Sequence, residues 1–134
     1  MKLVYLASPY SDPDPAVQEQ RFKDVSRCAA LLMQEGVLVF CPIAHFTPIA
    51  NYANLPHGWE FYAPFDRAFL EMCGAVLVCC FDGWEGSIGI KAEVAIAGEL
   101  GIPVGYLVEP FNVDVVRHFV RTAGLVSIYH ANHA

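Results

Sequence analysis

The run Ala75–Phe81, AVLVCCF, is apolar without a break and is only as long as a strand. A strand with no alternation of apolar and polar residues has both faces covered. The central strand of a parallel sheet clothed by helices meets that condition. The flanking segments agree. Trp59–Cys73 has helical spacing, with Pro64 kinking it or marking a second start. Asp82–Gly89 is a glycine-bearing loop, and the helical stretch after it ends at Gly101. Lys2–Ala7 is a second short apolar run, halted by Ser8-Pro9-Tyr10. Asp14 suits an N-cap with Pro15 at the first helical position, predicting a helix to about Glu35 with Gly36 past its end. Val37–Cys41 reads as a strand stopped by Pro42, Pro103–Val108 as another, and Val113–Ala123 as a last helix.

This alternation predicts an α/β fold. It is a single domain over residues 1–134, with a parallel sheet of four to five strands and helices on both faces, flavodoxin-like or Rossmann-like. The sheet should carry Leu3–Ala7, Val37–Phe40, Val76–Cys80 and Val104–Leu107. Ile43–Gly58 is read as a sixteen-residue loop, whose aromatic and asparagine content suits a lid or a base-binding wall. The tail Ser127–Ala134 shows no readable pattern.

Hydrophobic residues make up 55% of the 134 and charged residues 16%, which suits a doubly covered sheet and leaves apolar surface for self-association. A homodimer or homotetramer is expected, packed partly through the aromatic Trp59–Phe69 segment. A net charge of −6 argues against a nucleic-acid polymer as partner, though not against a single nucleotide. No apolar run is long enough to cross a membrane, and the opening MKLVYLASPY lacks the length of a signal peptide. Cys28, Cys41, Cys73, Cys79 and Cys80 have no metal spacing and read as reduced, buried thiols of a cytoplasmic protein.

The chemistry concentrates at two acids. On a 3.6-residue period Glu93 shares a face with Gly89, Ile90, Ile96, Ala97 and Leu100, whereas Glu99 falls on the solvated side. Asp66 likewise sits on the stripe of Tyr62, Phe69, Leu70 and Cys73. A carboxylate on a buried stripe costs free energy unless it is paired, protonated or facing a cavity. That is also the condition for a nucleophile or a general acid, and spacing alone leaves the structural and the catalytic alternatives open. Ser87 is a good N-cap, and Gly83, Gly86 and Gly89 allow close approach to an anion at the helix start. Arg21, on the apolar stripe of the first helix, either reaches an anionic ligand, snorkels to solvent or pairs with a carboxylate. Neither G-x-G-x-x-G after the first strand nor G-x-x-x-x-G-K-[ST] is present.

Taken in order, Tyr5-Leu6-Ala7-Ser8-Pro9-Tyr10, Asp66 and Ser87-Ile88-Gly89-Ile90-Lys91-Ala92-Glu93 resemble three motifs of the nucleoside 2-deoxyribosyltransferase superfamily. These are Y-[LF]-A-[GS]-P, a helix aspartate and S-x-G-x-x-x-E. The pattern runs from Leu3 to Leu107 and is similar to small members with Gly-Trp-Glu before the serine. The resemblance implies that Glu93 attacks the anomeric carbon, Tyr5 orients it, and Asp66 contacts the base or sugar. It also implies that Ser87 contacts phosphate, as in the family's 5′-monophosphate N-hydrolases, where the transferases carry Asp. Ser8, Pro9, Arg21, Gly86 and Gly89 would complete the substrate site, with no cofactor and no metal. The implied activity is cleavage or transfer at the N-glycosidic bond of a nucleoside or its 5′-monophosphate. The alternative is a sensor that binds a nucleotide or nucleotide-sugar without turnover. Glu93 is expected to line one cavity with Tyr5, Ser8 and Ser87 at the carboxyl ends of the strands.

Overall fold

A computed structural model describes residues 3–109 and 111–122. Four strands form one parallel sheet in the order β2-β1-β3-β4, comprising β1 (Leu3–Ala7), β2 (Val39–Phe40), β3 (Cys73–Cys79) and β4 (Val104–Leu107). Helix α1 (Pro15–Gln34) joins β1 to β2. Helices α2 (Pro42–Ala53) and α3 (Trp59–Met72) lead to β3, α4 (Ile88–Leu100) to β4, and α5 (Val113–Thr122) follows. The α/β fold with helices on both faces of a parallel sheet is therefore as expected. The last predicted helical residue, Ala123, and the tail Ser127–Ala134 lie outside the described residues.

Strand alternation divides the interior in two. Val4 and Leu6 of β1 and Leu77 and Cys79 of β3 face α1 and α5, where they meet Val25, Cys28, Leu32, Val116 and Val120. Tyr5, Ala7, Val76 and Val78 face the opposite way, toward Leu70 of α3 and Ile90 and Ala97 of α4. Full burial of each large aliphatic contributes about 1.5–3 kcal/mol. The caps match the local chemistry. Asp14 Oδ1 accepts from the Ala16 amide at 2.9 Å, Ser87 Oγ from the Ile90 amide at 3.2 Å, and Gly101 closes α4 at φ 72°.

Two expectations are corrected. Ile43–Gly58 is not a loop throughout, since Pro42–Ala53 is a helix. Pro42, read as a strand stop, occupies the first turn of that helix, where its missing N–H costs nothing, and Asn54 ends it at φ 55°. Pro48 inside it hid the pattern. The second strand is also shorter than Val37–Phe40. Only Val39 and Phe40 pair with β1, while Val37 is buried just ahead of them.

β1 feeds α1 toward β2, and β3 feeds α4 toward β4, so the two chain directions diverge between neighbouring inner strands. Their carboxyl ends open a crevice at the position where such sheets hold ligands. No described helix is long and apolar enough to cross a membrane.

Candidate active site

A cavity of about 790 Å³ fills that crevice. One side is the β1–α1 loop, with Ser8, Pro9 and Arg21 of α1 behind it; another is the Gly83–Gly89 segment after β3. The far wall is α2 and the start of α3. Ile43, Phe46, Thr47 and Ala50 of α2 line it at helical intervals, followed by His57, Trp59 and Tyr62. The volume lies within the range usual for small-molecule sites.

Asp66 from α3 and Glu93 from α4 both reach this cavity and are 6% and 5% exposed. Each sits on the buried stripe of its helix for the reason its spacing gives. Neither forms an ion pair among the described residues. By contrast Glu99, on the other side of α4, pairs at the surface with Arg67 at 3.2 Å. Asp66 Oδ1 is buried with no hydrogen-bond partner. Burial pushes the Asp66 carboxyl up to about 7, with the Tyr5 hydroxyl opposing the rise. Burial also carries Glu93 up to about 8, opposed by Tyr5 and assisted by the negative charge of Asp66. Tyr5 therefore acts on both acids, and the charge of Asp66 acts on Glu93.

Tyr5 departs from expectation. It is fully buried and does not line the cavity. Its place in the middle of an inner strand puts the ring in the core, so the hydroxyl supports the acids from below instead of facing a ligand. That hydroxyl closes no hydrogen bond of ordinary geometry, yet it lies near enough to both carboxyls to lower each against the effect of burial. Burial first, then the charges of Glu93 and Asp66, hold the phenol far above its usual range.

The other residues singled out in the sequence converge. Ser8, Pro9, Arg21, Gly86, Ser87 and Gly89 all line the cavity with the two acids. Ser8 is 6% exposed and its hydroxyl has no partner. A methyl group at Gly89 would lie 3.8 Å from Glu93 Oε1 and 4.0 Å from the Trp59 ring, so the bare glycine keeps open the space beside the carboxyl. His57 and Trp59 were marked by no motif. Trp59, Tyr62 and Asp66 do share one helical stripe, and extending the Asp66 stripe back one turn would have found the indole.

Among the described residues no group of three or more His, Cys, Asp or Glu side chains is arranged to hold a metal ion. What the arrangement offers is a pair of proton-holding acids beside a stretch of helix start, walled by aromatic rings.

The chain belongs to the family described as a domain of unknown function (DUF1937), whose model matches residues 2–109. That span contains β1 to β4 and every residue lining the cavity. No curated protein matches the chain.

Proposed function

We propose that the protein cleaves the N-glycosidic bond of a nucleoside or nucleoside 5′-monophosphate, by hydrolysis or by transfer to an acceptor base. The observation that carries this proposal is the pair Asp66 and Glu93, brought from two helices to one cavity, both buried and neither paired with a cation among the described residues. Burial raises both acids to near neutral pH, Glu93 further than Asp66, so the resting proton lies mainly on Glu93 and has to pass to Asp66 for Glu93 to act as the nucleophile.

In the proposed reaction Glu93 gives its carboxylate oxygen to the anomeric carbon as the bond to the base nitrogen breaks. The bonding pair leaves with the base, and Asp66 supplies the proton that neutralises it. Positive charge developing on the sugar is stabilised by the carboxylate it is about to meet. Water or an acceptor base then attacks the same carbon, gives its proton to the Asp66 carboxylate and releases Glu93. Tyr5 is a positioning residue in this scheme, since its hydroxyl acts on both acids from the core side. The Phe46, Trp59 and Tyr62 rings suit a flat base. Unpaired cysteines fit work in the cytoplasm. Exposed Ile49, Tyr52 and Phe65 on α2 and α3 fit assembly as a homodimer or homotetramer.

The test is a screen of nucleosides and their 5′-monophosphates for released free base, with and without an acceptor base. Release that depends on Glu93 is expected. Saturable nucleotide binding with no release from any substrate would instead identify a sensor.

A further inference from the structure

We infer that the ligand of this cavity carries a phosphate monoester and that Arg21 is the residue that selects it; as a statement about substrates, this rests on the N-glycosidic proposal above. Arg21 lines the cavity, and among the described residues its guanidinium donates only to neutral carbonyls. Nη1 reaches Ser11 O at 2.8 Å and Tyr10 O at 3.4 Å, and Nη2 reaches Asp82 O at 3.4 Å. A guanidinium has five N–H donors, so two remain after these three bonds. Arg27, Arg67 and Arg117 each meet a carboxylate within 3.4 Å, whereas Arg21 forms no ion pair among the described residues. Asp12, an acid of the same loop that lines the cavity, accepts the Asp14 amide through Oδ1 at 2.9 Å and forms no ion pair with Arg21.

The placement of Arg21 is built into the fold. Its side chain crosses from α1 to the turn after β3 and lies over Gly83, where a Cβ would come 2.6 Å from Nη2. Gly83 also adopts φ 88°, so two independent constraints keep that position bare. Arg21 thereby ties the loop after β1 to the loop after β3, the two sides of the crevice.

Two further donor sets face the same space. The amides of Ile88 and Gly89, the first two of α4, donate to nothing among the described residues, while the Ile90 amide is taken by Ser87 Oγ. Ser8, more than nine-tenths buried, presents a hydroxyl with no partner among the described residues. A buried polar group without a partner costs free energy that a ligand recovers by bonding to it. A guanidinium, two helix-start amides and a hydroxyl, arriving from separate elements, suit the terminal oxygens of a tetrahedral phosphate better than a flat carboxylate.

Ribose 5-phosphate and ribose are the probes, titrated against the full chain by tryptophan fluorescence, with Trp59 in the cavity wall as reporter. Neither contains a base, so the result is independent of turnover. The wild type should bind ribose 5-phosphate at least ten-fold more tightly than ribose. Arg21→Ala should remove that preference and Arg21→Lys retain part of it. Because Arg21 also joins two loops, Ile88→Pro provides a second arm. Proline is tolerated at the first helical position and deletes one free amide, and Ser87 before it already has ψ 120°, as a residue preceding proline requires. This variant should weaken ribose 5-phosphate several-fold and leave ribose unchanged. Equal affinity for the two sugars in the wild type, or a preference that survives both Arg21→Ala and Ile88→Pro, would overturn the inference. Base release from nucleosides as fast as from monophosphates would also overturn it while leaving the glycosidic proposal intact. An Arg21-dependent phosphate preference with no base release would do the reverse.

Discussion

The two faces of the sheet start from the same strands and end differently. On the α1 and α5 side, Val25, Leu32, Leu77, Leu107 and Val116 close an apolar interior, and the polar contribution there is a pair of thiols, Cys79 and Cys28, 3.3 Å apart. On the α3 and α4 side, Leu70, Ile90 and Ala97 do similar work up to the carboxyl ends of the strands. There the stripe of each helix changes from aliphatic to acid, at Asp66 and Glu93, and the interior gives way to a cavity. One face is organised for stability. The other gives up some stability, holding out of water two acids that no described cation pairs with, beside a cavity open to a ligand.

The largest expected difference is catalytic. Glu93→Gln keeps the size of the side chain but removes the charge that captures the anomeric carbon in the proposed reaction. Base release should fall by several orders of magnitude while ribose 5-phosphate still binds. Unchanged release would make Glu93 a structural acid and erase the contrast between the faces. Leu32→Ala is the counterpart on the closed side. It empties a fully buried site and should lower unfolding stability by about 2–5 kcal/mol, with sugar-phosphate affinity within two-fold of wild type once folded. A large loss of affinity in the folded variant would mean that the two faces are coupled.

The next effect lies in pH. Asp66 and Glu93 rise from ordinary values of 3.8 and 4.5 to about 7 and about 8, so the folded chain holds protons that the unfolded chain has released. Their contribution is neutral below about pH 4, becomes destabilising as pH rises through 4 to 8, and levels off above that. Glu93→Gln and Asp66→Asn remove this dependence. Each variant should gain stability over wild type by an amount on the order of a few kcal/mol at pH 9 and little at pH 4, measured by urea unfolding. Parallel pH profiles for wild type and variants would show that the acids are solvated.

The smallest effect is the sharpest probe of the open space. Gly89→Ala meets only ordinary contacts at 3.8–4.0 Å and improves helix propensity by up to about 1 kcal/mol, so thermal stability should hold or rise slightly. The methyl group nevertheless occupies volume beside Glu93, and ribose 5-phosphate affinity should drop several-fold. Equal affinity would place the sugar elsewhere in the cavity.

The helical stripes of α3 and α4 were legible because a 3.6-residue period is local. Asp66 and Glu93 stood out as acids among Leu70, Phe69, Ile90 and Ala97 without any knowledge of what covered them. The parallel strands, the Asp14 and Ser87 caps and the gathering of Ser8, Arg21 and Ser87 at the strand ends followed from equally local rules. Helix α2 was less legible, although Ile43, Phe46, Thr47 and Ala50 carry the i, i+3, i+4, i+7 signature. Its prolines at positions 42 and 48 read as breaks, and only one of its twelve residues, Pro42, is buried, so the usual apolar face is missing. That stripe faces a cavity instead of a core, and burial is what makes a stripe strongly hydrophobic.

By itself the sequence determined which residues alternate, which cap, and which acids lie on the wrong side of their helices, since these depend on neighbours a few positions away. The tertiary structure decided that Asp66 and Glu93 share one cavity, that Tyr5 supports them from within the core instead of lining it, and that Arg21 crosses to Gly83 with no described carboxylate paired to it. Those relations join segments 27 to 88 positions apart (66 to 93, 5 to 93), and only the packing of helices on a shared sheet brings them within electrostatic reach.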